Sequence, residues 1–147
     1  MTSPQRVRVL GDLYHRQIST GAVYVGRAEP GLPVSRYANP HRVAACRRCG
    51  QEHDQADAVA AYAADLDRQP DLTAAVRRDL ADVDIACWCR QNVLACHGEV
   101  LLRVAAGATP PAAIASVLGG TLPPPHCSRG WGRAGTPPGH YLRTRNR

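Results

Sequence analysis

The chain has 147 residues and a formal charge of +6, enough for one domain of ordinary size. It contains no Phe and no Lys, so all 18 cationic side chains are Arg. This excludes the Walker-type phosphate loop, Schiff-base chemistry and any Lys general base. Five Tyr and two Trp are the only aromatic residues of that class, which leaves Ala, Val, Leu and Ile to build a core. Residues 1 to 108 hold 13 Arg against 12 acids, whereas residues 109 to 147 hold five Arg and no acid. The basicity belongs to the tail. No apolar run approaches the roughly 20 residues that span a bilayer, and the opening MTSPQRVRV lacks the pattern of a secretory signal. The expectation is a cytoplasmic protein without membrane partners, in which six Cys serve as ligands or reactive thiols rather than as disulfides.

In chain order, Arg6 to Leu10 and Ala22 to Arg27 read as short strands, and a Gly/Pro-rich loop follows to Asn39 and Pro40. A helix is expected from Gln55 to Leu66, capped by Asp54, with Val59, Tyr62, Ala63 and Leu66 on one face. Pro70 is read as a breaker, and a second helix is expected to start near Thr73, with Asp71 or Thr73 as its cap. Asp84 to Cys89 reads as a buried strand with Ile85, Cys87 and Cys89 on one side and Ala86 and Trp88 on the other. A third helix is expected from about Cys96 to Ala106, with Gly107 as its stop, and a short fourth from Pro111 to Leu118. Strands followed by crossover helices imply an α/β fold with a small, at least partly parallel sheet flanked by helices. We divide the chain into residues 1 to 108, an α/β metal-binding domain, and 109 to 147, a short helix followed by an irregular, extended Gly/Pro/Arg-rich tail.

Two segments concentrate metal-ligating residues. In CWCRQNVLACHGEV, Cys87 and Cys89 project to one side of a strand, and the chain returns within seven residues to Cys96 and His97 at a helix start. Helix N-termini stabilise thiolate, and zinc is the natural ion for Cys and His. The alternative is that these are small buried residues of a central strand. In CRRCGQEH, Cys46, Cys49 and His53 offer three ligands around a CxxCG knuckle. A fourth can come from Cys127, His126 or His41; the alternative is an exposed thiol pair in a loop. The HxE formed by His97 and Glu99 resembles half of a zinc-deaminase signature, but the PCxxC that must follow is absent. In the tail, Arg residues with Trp131 and Tyr141 suit weak, salt-sensitive contact with nucleic acid.

GAVYVGR (Gly21 to Arg27), the Asn39–Pro40 pair, the helix ADAVAAYAADL, and DIACWC followed by CHGEVLLRVA together resemble the bacterial and phage proteins grouped as the domain of unknown function 4326. The resemblance covers about residues 21 to 107 and implies a site made of Cys87, Cys89, Cys96 and His97 with Arg27, Asn39 and Pro40. Here Tyr37 and Ala38 stand where the family has Trp and Gly, His41 replaces an aromatic residue, and Glu99 replaces an Asp.

These observations lead to a zinc-binding α/β domain acting on nucleotides or nucleic acid, in phage-related processing. Arg27 is expected to hold a phosphate and Asn39 to orient a base or sugar. Cys96 or a metal-activated water is the reactive group, and Glu99 the acid or base. The competing expectation is a non-enzymatic zinc-stapled module that binds nucleic acid or a protein through its tail. A third is a metal-free thiol enzyme using Cys96.

Overall fold

A computed structural model describes residues 3–46, 50–90, 92 and 95–120. Its centre is a parallel three-stranded sheet made of β1 (Arg6–Arg8), β2 (Val23–Tyr24) and β5 (Ile85–Cys87), in the order β1-β5-β2. Ile85 is in register with Arg6 on one side and Val23 on the other. As the middle strand, β5 is buried throughout, and Ile85, Ala86 and Cys87 satisfy this with compact apolar side chains. The α/β class and the parallel pairing expected from the sequence are both present.

Helix α1 (Gln55–Asp67) starts where the sequence places it. Asp54 accepts a hydrogen bond from Asp57 N at 2.7 Å, and Asp57 Oδ2 accepts one from Asp54 N, a capping box. Ala58, Ala61 and Ala63 are buried along with Val59, Tyr62 and Leu66; their small size lets neighbouring helices approach α1 closely.

Helix α2 (Pro70–Asp79) corrects two expectations. Pro70 does not interrupt a helix; it opens one, because its missing N–H and fixed φ suit the first turn. Neither Asp71 nor Thr73 caps α2. Gln69 holds the cap position without a side-chain bond, and Thr73 Oγ1 instead donates to Leu66 O at 2.8 Å, tying α2 to the end of α1.

Helix α3 (His97–Ala105) is capped by Cys96, and α4 (Pro110–Val117) by Thr109. Ala113, Ile114 and Val117 of α4 join Val59, Leu66, Val76, Ile85 and Val100 in one core. The packed body therefore continues past the composition change at residue 108. A small antiparallel hairpin, β3 (Ala44–Ala45) and β4 (Glu52–His53), packs through β4 against α1. No helix among the described residues is long and apolar enough to cross a membrane. Cys49 and the tail residues Cys127, His126, Trp131 and Tyr141 lie outside the described residues.

Candidate metal centres

Two groups of His and Cys side chains could each hold a metal ion, their ligand atoms lying within 4.8 Å of one another: His41, Cys46 and His53, and Cys87, Cys89 and Cys96. None of these four cysteines is in a disulfide.

The first group is assembled by the hairpin and by the turn after Asn39. Cys46 N donates to Gln51 O and Gly50 N to Cys46 O, at 2.9 and 2.7 Å. Gly50 supplies the positive φ of 76° that this tight return needs. Of the proposed fourth ligands for this knuckle, the structure brings in His41. Its backbone N donates to Asn39 Oδ1 at 2.9 Å, bridging Pro40, and Asn39 Nδ2 donates to Ala58 O on α1. His41 Nε2 meets Asp65 Oδ2 at 2.6 Å. A carboxylate can only accept, so Nε2 carries the hydrogen, which in the neutral ring leaves the lone pair on Nδ1. Nδ1 lies 3.7 Å from Cys46 Sγ. Tetrahedral zinc, with bonds of about 2.3 Å to sulfur and about 2.0 Å to nitrogen, sets such atoms about 3.5 Å apart, so the pair fits one ion. His41, Cys46 and His53 are all buried.

The second group sits at the C-terminal end of β5. Cys87 and Cys96 sulfurs are 3.7 Å apart, close to the separation of about 3.8 Å that two sulfurs have on one tetrahedral zinc. Cys96 also accepts from Gly98 N at 3.4 Å as the α3 cap. Behind the thiols lies Arg6, a buried guanidinium that sequence reasoning missed. Its Nη1 donates to Cys87 Sγ, to Cys89 O and to Arg90 O, and its Nε to Glu99 Oε2 at 2.9 Å. Hydrogen bonds from Cys89 and then from Cys96, with Arg6 adding to them, hold Cys87 far below the ordinary thiol range. Cys96 is pushed up, first by its bond to Cys87 and then by that to Cys89. Of the three thiols, Cys87 is thus the one that ionises first. Gly98 is required here, since a Cβ would come within 2.9 Å of Arg6 Cδ and 3.2 Å of Ile85 Cδ1.

Glu99 and His97 are placed differently from expectation. Glu99 gives one oxygen to Arg6 and the other to Arg103 Nη1 at 3.0 Å, so its carboxylate fastens Arg6. His97 is not part of the thiol group. Its Nε2 donates to Val25 O at 2.8 Å and its ring meets Tyr62 edge-on. Burial holds its pKa below the usual imidazole value, and Nδ1 keeps the lone pair.

Both groups border one cavity of about 520 Å³, lined among others by Arg27, Asn39, His41, Cys87, Cys89 and His97. The YVGR segment builds its wall. Val25 N donates to Ala86 O, extending the sheet pairing by one residue, and Tyr24 folds across Gly26 so that its hydroxyl donates to Arg27 O at 2.9 Å. A Cβ on Gly26 would lie 2.3 Å from the Tyr24 hydroxyl oxygen, so any side chain there would displace the Tyr24 ring from this position. Arg27 donates through Nε to Asn39 O and through Nη2 to His41 O, at 3.3 and 2.9 Å. Partial desolvation of its guanidinium against the cavity wall, with Arg42 nearby, lowers its pKa. Among the described residues no carboxylate pairs with Arg27. Asn39 lines the cavity, but its amide is engaged by the backbone of His41 and Ala58; it positions the turn.

A family model described as a domain of unknown function (DUF4326) matches residues 13–107. The chain belongs to the DUF4326 family. Comparison of this DUF4326 chain with curated proteins and with solved structures finds no significant match. The matched span contains both His/Cys groups, Arg27 and two of the three parallel strands, β2 and β5. Arg6 precedes it, and α4 follows it.

Of the functional side chains absent from the sequence reading, Asp65 left a trace. It falls three residues after Tyr62 and six after Val59, on the stripe that α1 buries, where an acid needs a partner. Arg6 left none, because its partners are 81 to 93 positions away.

Proposed function

We propose that this DUF4326 domain holds zinc at both groups and uses the three-cysteine centre to act on a phosphate-bearing ligand, a nucleotide or a nucleic-acid end, bound in the adjoining cavity. One observation carries this reading: Cys87 and Cys89 open onto the same cavity as Arg27. The cavity lies beyond the C-terminal ends of parallel strands, where α/β sheets collect ligands.

On this reading the two centres differ in kind. His41, Cys46 and His53, completed by Cys49, make a four-ligand set of the structural type. Cys87, Cys89 and Cys96 supply three ligands, and a zinc ion held by three protein ligands acts as a Lewis acid toward what enters its fourth position. Arg6 offsets the excess thiolate charge from behind. Arg27 holds a phosphate at the cavity mouth, and His97, with its lone pair on Nδ1, accepts a proton from the ligand. Cys96, buried and held as the α3 cap, is a ligand in this scheme rather than a nucleophile.

Elemental analysis of the purified full chain tests this reading. Two zinc ions per chain are expected, with one lost in Cys89→Ser and the other in Cys46→Ser. Inorganic phosphate should shield Arg27 from arginine-specific modification. Protein that retains no metal, or phosphate that gives no protection, would overturn it. The burial of Cys96 also favours a second reading, in which both ions are staples and nucleic acid binds through the tail. That reading expects oligonucleotide affinity to vanish on deletion of residues 121 to 147, with phosphate never reaching the cavity.

A further inference from the structure

We propose that the cavity reads the ribose of its ligand through Glu29, so that the domain takes ribonucleotides in preference to deoxyribonucleotides. The inference rests on the reading of this cavity as a phosphate site and goes one step past it, to the sugar.

Cation and carboxylate line the same cavity and yet do not meet. Arg27 and Arg42 are exposed, and both border the cavity together with Glu29. No ion pair joins them among the described residues. Arg27 is turned to main-chain carbonyls instead. Glu29 Oε2 is shielded from solvent and accepts no hydrogen bond among the described residues, and the Trp88 ring lines the same wall with its Nε1 turned to the Tyr24 hydroxyl.

A shielded carboxylate oxygen costs free energy until a ligand answers it. The complementary ligand carries an anion for the arginines, hydroxyl donors for the carboxylate, and a flat face for the indole ring. A phosphate, a vicinal diol and a base meet these demands in a ribonucleotide. A carboxylate that accepts from ribose hydroxyls is the usual device for nucleotides at the edge of parallel sheets. An amino acid could also answer Glu29 through its ammonium, but about 520 Å³ is nucleotide-sized. A 2′-deoxyribose removes one of the two donors and leaves the oxygen partly unanswered, the situation in which polar pockets discriminate most strongly.

The test is calorimetric titration of the zinc-supplemented full chain with the four ribonucleoside 5′-monophosphates, their 2′-deoxy counterparts, inorganic phosphate and glycine. At least one ribonucleotide should bind tenfold or more tightly than its deoxy form. In Glu29→Ala the ratio should fall below threefold while inorganic phosphate binds as before. Among the described residues Glu29 makes backbone bonds to Leu32 and no side-chain bond, so the variant keeps its turn, and an unchanged melting temperature verifies the fold. Equal affinities for the two sugars, an unchanged ratio in Glu29→Ala, or glycine binding more tightly than any nucleotide would overturn the inference. Phosphate and nucleotides all failing to bind would overturn the phosphate reading beneath it as well.

Discussion

Asp65 Oδ2 lies 2.6 Å from His41 Nε2, and this contact decides which nitrogen of the imidazole faces Cys46. The carboxylate is itself fixed by Arg68 Nη2 at 2.6 Å. The orientation of the ligand is thus set from the last turn of α1, away from the hairpin that carries Cys46 and His53.

The first prediction follows from that contact. Asp65→Asn should lower metal affinity at the hairpin centre by about 10- to 100-fold, the usual effect of losing a carboxylate behind a ligand histidine. Chelator competition would measure it. The Cys87, Cys89 and Cys96 centre should keep its affinity, and an equal loss at both would mean that the substitution acts on the fold.

Arg6→Met should destabilise the protein by about 3 kcal/mol or more, because it removes one partner from a buried, hydrogen-bonded ion pair and leaves the carbonyls of Cys89 and Arg90 without their donor. Urea unfolding would show this as a lower midpoint. Arg6→Lys should recover only part of the loss, since an ammonium cannot reproduce the planar fork.

Gly98→Ala should cost about 1–3 kcal/mol through overpacking against Arg6 and Ile85. Gly107→Ala meets no neighbouring atom, although its φ of 112° is strained for an L residue. The informative comparison is thermal melting with added zinc. Metal should fail to rescue Gly98→Ala fully, because the clash displaces Arg6 from behind the thiols.

The hydroxyl of Tyr37 donates to Asp79 Oδ2 at 2.8 Å, joining the loop before Asn39 to the end of α2. Arg78 and then Tyr37 hold the Asp79 carboxyl below the usual carboxylate range. A depressed folded-state pKa stabilises above the unfolded value, about 3.9 for Asp, and the contribution is lost as pH falls through the folded value. The stability difference between the wild type and Asp79→Asn should therefore be constant near neutral pH and shrink below about pH 4. Denaturation series at several pH values would check this. A difference that grows on acidification would reverse the sign and remove the assignment.

The features legible in the sequence were those decided locally. Asp54 caps α1 through Asp57, three residues away. The alternation of Ile85, Ala86 and Cys87 marked the central strand, and CxC and CxxC spacing marked both ligand groups. Pro70 was ambiguous, because the missing N–H that ends one helix suits the start of the next. The hairpin strands are two residues long, too short for any period. Chain adjacency grouped His97 with Cys96, but the extended backbone of the cap, with φ −132° and ψ 138°, precedes the first helical residue. Consecutive side chains therefore part, one to the thiols and the other to Val25. Arg6 and Glu99 meet across 93 positions, a distance at which no local rule operates.

The strand order has a consequence for synthesis. Both outer strands pair only with β5, which is the last of the three to be made. Until residue 87 has left the ribosome, β1 and β2 have no partner, and the first two strands wait as unpaired edges of the kind that invites wrong association. The arrival of Cys87 closes the sheet from the middle outward and, in the same step, delivers the first thiol of the second centre.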